Sequence, residues 1–308
     1  MADSLTISAP ATSANLGPGF DVLAVALDLA NEVVVTRRPG PLAVRVVGEG
    51  TGEVGEDETN LVCRALAEGL GSLQGLEVEC RNRIPLGRGL GSSAAAVCAG
   101  LVAANAIGGL RWSPQDLLSR AAALEGHADN AAACIEGGIV AVSPGPRCRR
   151  ITTPPDLAFV TIVPAVRVAT EESRRALPAA VPLPEVSEAL GRAVALALAL
   201  GGGRLDELPD LLEDRLHEPY RAPLVPGLEE IRGLVDGDGC LGATISGSGP
   251  SMLVWCRADA AGHVARRARE ALAGAEVAAE VRVARVSPTG VRARWSGAPR
   301  ARLERSIG

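Results

Sequence analysis

The sequence predicts an α+β protein of two domains, and three observations carry that expectation. Strand-like and helix-like stretches alternate along the chain, divided by Gly, Pro or Asn turns. With 308 residues and 47% apolar composition, the chain can bury a sizeable core and is long enough for two domains of ordinary size. A Pro-, Gly- and Arg-rich interval from Ser143 to Pro155 separates two blocks of similar make-up, residues 1–150 and 151–308.

The first block opens as sheet: "LTISAPA", "DVLAVALDLANEVVVTRR" and "LAVRVVG" are rich in β-branched residues. From Thr59 to Leu70, the residues Leu61, Ala65, Leu66 and Leu70 share one helical face, with Thr59 or Asn60 as the cap. "LEVECRNRIP" reads as a strand that ends at Pro85 and delivers the chain into "LGRGLGSSAAA". A helix follows from Ser93 to Asn105, capped by Ser92 or Ser93. Another is opened by "SPQDLL", with Ser113 as cap and Pro114 at the first helical position, and a third starts near Asp129. "GGIVAVSPGP" closes the block as a strand. The second block offers strand "LAFVTIVPAV" and helices near Glu172, from Glu185 to Leu200, from Leu205 to Leu216 and from Leu228 to Leu234. In "LGATISGSGPSMLVWC" a second glycine-serine loop follows a strand. A helix from Ala258 to Ala273 and strands "EVRVARV" and "GVRARW" complete the chain.

Composition removes several classes of function. A formal net charge of -5 argues against a nucleic-acid surface, whose affinity rests on neutralised phosphates. The one basic cluster, "VRARWSGAPRARLER", reads as a solvated tail. Seven scattered cysteines (Cys63, Cys80, Cys98, Cys134, Cys148, Cys240, Cys256) form no C-x-x-C pair, so free buried thiols in a reducing cytoplasm are expected. The N-terminus has no secretory pattern, and "ALGRAVALALALGGG" is too short to span a bilayer, so no membrane partner is expected. A homodimer is expected on base rate alone.

The glycine loop is the strongest chemical signal. Gly87, Gly89 and Gly91 leave it almost without side chains, so its useful groups are backbone N–H donors that suit an anion. A glycine turn opening a helix points unpaired N–H groups and about half a positive charge outward, which is a phosphate site; a tight turn into a buried alanine-rich helix is the other reading. The absence of lysine excludes a Walker A loop, and Ser92 stands where a Rossmann fingerprint needs its last glycine.

Other residues cluster around short signals. In "LEGHADN", Glu125 at a helix end could reach a magnesium ion, which prefers carboxylate and phosphate oxygens. Taken singly, Glu125 also suits a solvated turn, Asp129 an N-cap and His127 a satisfied buried histidine. In "SAPATSANLGPGFDVLA", the turn brings Asn15 and Asp21 to where both could face a small polar ligand, although Asx turns are equally cheap. Arg174 and Arg221 have the guanidinium geometry to clamp a carboxylate in a chain that offers no lysine.

The order of these pieces resembles the GHMP kinases. "PLGRGLGSSAAA" resembles their second motif and "ISGSGPS" their third, while "SAPATSANLGPGFDVLAVAL", "EGHADN", "TEESRRALP" and "EPYRAPLVPG" resemble the branch that phosphorylates homoserine. The similarity runs from about Ser8 to the strand after Gly249. It implies ATP-dependent phosphorylation of the L-homoserine hydroxyl for threonine synthesis. The implied fold is an N-terminal domain like the second domain of ribosomal protein S5 and a ferredoxin-like C-terminal domain, with the site between them. Carried over by position, Pro85, Gly87, Gly89, Leu90, Gly91, Ser92, Ser93 and Ala94 would hold the nucleotide, with Asn60 near its base. Ser92, Ser93 and Glu125 would stand near Mg2+, and Asn15, Asp21, His127, Arg174 and Arg221 would hold homoserine. Ser93, Glu125, Asp129 and Asn130 would serve the chemistry, yet no carboxylate is clearly offered as a general base. "AAACIEGG" after "HADN" departs from the family's usual Val-Ala-Pro stretch. The resemblance leaves open another small alcohol as acceptor, or a non-catalytic ATP-binding sensor.

Overall fold

A computed structural model describes residues 4–235 and 238–296, arranged around two sheets. The first is built from β1 (Ser4–Ala14), β2 (Leu23–Arg37), β3 (Ala43–Gly48), β4 (Leu76–Asn82), β5 (Ile139–Ser143) and β6 (Arg147–Ile151). β1 shows the reason for its place: Leu5, Ile7, Ala9 and Ala11 are fully buried at every second position, and Ser4, Thr6 and Ser8 between them are not. β2 is long enough to pair with β1 on one side and with β4 and β5 in succession on the other. Four helices cover the sheet: α1 (Leu61–Leu70), α2 (Ser92–Gly108), α3 (Pro114–Glu125) and α4 (Asp129–Glu136). α2 is apolar almost all round and packs against α1, α3, α4, β1 and β2, as a helix without a polar face must.

The second sheet has the order β10-β7-β9-β8, with all neighbours antiparallel. It contains β7 (Leu157–Pro164), β8 (Cys240–Ile245), β9 (Met252–Arg257) and β10 (Ala279–Ala284). Between β7 and β8 run α5 (Thr170–Arg175), α6 (Leu183–Gly201), α7 (Leu208–Leu211), α8 (Glu218–Arg221) and α9 (Leu228–Arg232); α10 (Ala261–Gly274) joins β9 to β10. This βαββαβ order is ferredoxin-like. Every residue of β7 is buried because both faces are covered. Ala158, Val160 and Ile162 join a core with α9 and α10, whereas Leu157, Phe159 and Val163 join the core beneath the first sheet. That shared core locks the two halves together. The last strand, β11 (Arg292–Ser296), returns to the first sheet and pairs with β1, so the chain crosses back over the division after residue 150.

Several sequence expectations need correction. The cap of α2 is Gly91 in a left-handed conformation, and Ser92 and Ser93 are its first helical residues. The helix expected from Leu205 to Leu216 is a 3-10 turn (Leu205–Glu207) followed by α7 alone. It stops there because the Asp214 carboxylate accepts the N–H groups of Leu216, His217 and Glu218 at 3.1, 2.8 and 2.7 Å, turning the chain before α8. α10 starts at Ala261 rather than Ala258, whose N–H is taken by the Asp156 carbonyl at 2.8 Å. The basic stretch beyond Ser296 lies outside the described residues.

The seven cysteines form no disulfide, and burial pushes the Cys80 and Cys256 thiols up to about 12, which keeps them protonated at neutral pH. Among the described residues, no helix is long and apolar enough to cross a membrane.

Where α1 and α2 cross, Gly100 permits contact that no side chain would. A Cβ there would lie 2.4 Å from the Val62 carbonyl oxygen and 2.6 Å from Ala65 Cβ. Gly100→Ala is expected to destabilise the fold by about 1–3 kcal/mol through overpacking. Urea unfolding should show a lower midpoint at unchanged slope.

Candidate active site

A cavity of about 340 Å³ lies where the two halves meet. One wall is the glycine loop. Gly89 and Gly91 adopt φ values of +75° and +67°, and close approach adds to that demand for glycine: a Cβ on Gly89 would sit 2.2 Å from the Ser246 carbonyl oxygen, and one on Gly91 1.9 Å from Thr12 Oγ1. The loop is held from behind. Ser246 Oγ donates to the Gly89 carbonyl at 2.7 Å and shares a 2.8 Å hydrogen bond with Ser13 Oγ. Thr12 N–H donates to the Leu90 carbonyl at 3.1 Å, and Ser251 N–H to the Arg88 carbonyl at 3.3 Å. With Gly91 as cap, no side-chain oxygen covers the start of α2. Its first N–H groups therefore face the cavity without the usual cap, and the helix dipole adds to their pull on an anion.

Beside that terminus, Ser93 Oγ donates to Glu125 Oε1 at 2.6 Å, joining the start of α2 to the end of α3. The turn into α4 supplies the next group. His127 Nδ1 meets Asp129 Oδ1 at 2.9 Å, Asn130 N–H donates to the same oxygen at 2.8 Å, and Thr12 Oγ1 donates to Asn130 Oδ1 at 2.7 Å. Asp129 is 2% exposed and serves His127, which explains a carboxylate in that position. The hydrogen bond to Asp129 is the main cause that holds the His127 pKa above the ordinary value, against the opposing effect of burial.

The far wall comes from the turn 15–21, α5 and α8. Asn15, in a left-handed conformation, accepts the Asp21 N–H at 3.0 Å and donates to the Gly247 carbonyl at 2.8 Å, so its amide binds one half of the protein to the other. Asp21 is paired with Arg174 at 3.2 Å. Arg221 is 2% exposed and donates from Nη1 to the Gly247 carbonyl at 3.1 Å. Its helix is pinned by Glu218, whose carboxylate accepts the Ile245 N–H and an Arg232 N–H, both at 2.6 Å. Burial pushes the Glu218 pKa up to about 7, in opposition to Arg232.

Of the sequence-predicted residues, the cavity gathers Asn15, Asp21, Pro85, Gly87, Gly89, Leu90, Gly91, Ser92, Ser93, Ala94, Glu125, His127, Asp129, Asn130, Arg174 and Arg221. Asn60 stands apart. Its Oδ1 accepts the Val62 N–H and its Nδ2 donates to the Gly55 carbonyl, each at 2.9 Å, which makes it the N-cap of α1. Sequence reasoning missed Arg88, Thr170 and Glu171 in the lining, and Thr12 and Ser246 behind it. Arg88 is the one cation of the glycine loop, a signal that was available.

Two family models match the chain: GHMP kinases N terminal domain over residues 59–138 and GHMP kinases C terminal over residues 193–274. With the two sheets and the loop-opened helix, they define the chain as a GHMP kinase. It is 41% identical over 292 residues to homoserine kinase of Streptomyces coelicolor, covering 90% of this chain and 91% of that one. It is 40% identical over 259 residues to homoserine kinase of Moorella thermoacetica, covering 82% and 87%. The crystal structure of homoserine kinase from Cytophaga hutchinsonii superposes with a TM-score of 0.87 at 32% identity, covering 96% of this chain and 98% of that one. The chain belongs to the homoserine kinase family.

The His127–Asp129 pair carries a pH signature. Because the folded pKa of His127 is raised above 6.5, its contribution to stability is full below that value and is lost as pH rises through the folded pKa. Replacing Asp129 with Asn removes the pair. The stability difference between wild type and Asp129→Asn, read by urea unfolding, is expected to be largest below pH 6.5 and to shrink as pH rises above it.

Proposed function

We propose that the protein transfers the γ-phosphoryl group of ATP to the side-chain hydroxyl of L-homoserine, giving O-phospho-L-homoserine for threonine synthesis. The observation that carries this reading is a cavity with two unlike ends. At one end, glycine-loop and α2 backbone N–H groups await an anion. At the other, Asp21 faces Arg174, with Arg221 and His127 in the same cavity. A zwitterionic amino acid suits that end. Its ammonium can take Asp21 and its carboxylate the arginines, each replacing a contact the two side chains now make with one another. A sugar would want neutral hydroxyl partners instead.

Ser93 and Glu125 fit Mg2+ as hard oxygen donors beside the phosphate end; the described residues hold no cluster of three His, Cys, Asp or Glu, so phosphate and water oxygens would complete the shell. The ion would neutralise charge on the phosphates. Asp129 is not free to act as a base, because it is taken by His127 and the Asn130 N–H, and the Asn130 side-chain carbonyl is taken by Thr12. Catalysis then rests on positioning and charge neutralisation, which the loose transition state of phosphoryl transfer allows. Seven cysteines without a disulfide suit a reducing cytoplasm, where we place the activity.

The deciding test is ADP release from Mg-ATP by the purified protein with L-homoserine, mevalonate, galactose or no acceptor. Turnover with homoserine alone is expected; turnover only with another alcohol would discard the acceptor assignment, and ATP binding without turnover would favour a sensor. Ser93→Ala and Glu125→Ala should each lower kcat by about 100-fold or more while the unfolding midpoint changes little. For Asp129→Asn, kcat should fall only modestly. A collapse of kcat with homoserine affinity intact would make Asp129 the base.

A further inference from the structure

Behind Arg221 stands a residue that neither the motifs nor the charge pattern singled out. His217 is fully buried, four residues before Arg221, and its ring joins the two halves of the protein. Nε2 lies 3.0 Å from the Gly17 carbonyl oxygen, in the turn that carries Asn15 and Asp21. Nδ1 lies 3.3 Å from Arg221 Nη1. A carbonyl oxygen only accepts and a guanidinium only donates, so the ring must donate at Nε2 and accept at Nδ1. That defines one neutral tautomer. The charged groups around it are Asp214, with Oδ2 3.6 Å from Nε2, Arg221 and Asp21; burial outweighs the acidic pair and holds the imidazole pKa below the ordinary value.

We propose that His217 is a positioning residue for the acceptor site: it fixes the Arg221 fork through Nδ1 and the Asn15–Asp21 turn through Nε2–H, setting the spacing between carboxylate clamp and ammonium partner. Three further contacts support this role. Phe20, beside Asp21, stacks on the His217 ring at 5.1 Å and 26°. The Arg221 guanidinium lies 5.4 Å from the centre of the Phe20 ring, so histidine, phenylalanine and arginine form one packed unit across the cavity wall. The His217 backbone is itself held, since Asp214 accepts its N–H at 2.8 Å. Arg221 otherwise has two backbone carbonyl partners, Gly247 at 3.1 Å and Ser173 at 3.5 Å; without His217 its fork loses one of three restraints.

The inference rests on homoserine as the acceptor, and its test separates the two ideas. L-homoserine is compared with 3-aminopropan-1-ol, which keeps the ammonium and hydroxyl and lacks the carboxylate. Wild type should prefer homoserine strongly by kcat/KM; lack of that preference would reject the carboxylate clamp itself. His217→Phe keeps a ring against Phe20 and removes both ring nitrogens. It should raise the homoserine KM about 10-fold or more, leave the ATP KM within about twofold, and cut the preference for homoserine by a similar factor. Adding Arg221→Met should cost less in the His217→Phe background than in wild type, because the two changes act on the same contact. His217→Gln keeps an acceptor for Arg221 and should recover part of the preference, and it carries the test if the Phe variant does not fold. If both acceptors, and ATP, lose kcat/KM equally in the His217 variants, His217 is structural and the proposal fails.

Discussion

The contact on which the site depends is between two pieces of backbone. Gly89 in the first loop and Ser246 after β8 approach until a Cβ on the glycine would overlap a carbonyl oxygen at 2.2 Å. Side chains would hold these loops apart. Because there is none, the Ser246 hydroxyl can reach the Gly89 carbonyl, and the loop keeps its carbonyls turned to the protein and N–H groups free for an anion. The same contact brings Gly247 beside Asn15 and Arg221, so the anion end and the acceptor end of the cavity share one fixed frame.

A shared core makes that frame rigid. β7 and β9 turn Phe159 and Trp255 toward the first sheet, where their rings meet edge to face at 5.0 Å. The junction between the halves is thus packed as a domain interior is packed, and the cavity is a cleft cut into its rim. β11 adds a second restraint by returning from the ferredoxin-like sheet to β1, the strand whose far end supplies Thr12 and Ser13.

Within the cleft, three carboxylates already have partners. Asp21 has Arg174, Asp129 has His127, and Glu125 has the Ser93 hydroxyl. Groups that face one another across a cavity mouth can exchange those partners for a zwitterion at small net electrostatic cost, because each charge remains paired. Groups buried behind the wall cannot exchange. Asp214, His217 and Glu218 keep their backbone partners and define where Arg221 sits.

Much of this was legible in the sequence, for a local reason. Strand period, helix faces, the absence of lysine and the glycine loop with its two serines are properties of short segments, and so is the Glu-x-His-x-Asp-Asn turn. Sixteen of the seventeen expected site residues line one cavity. Where the sequence misled, neighbours competed for the same hydrogen bonds: Gly91 displaced the serines as the cap of α2, and Asp214 ended a helix that its apolar pattern would have continued. Only the tertiary structure could decide the roles of His217, Ser246 and Thr12. Their partners lie 200, 157 and 118 residues away along the chain, and no local pattern encodes which donor will meet which acceptor once two sheets close on a common core.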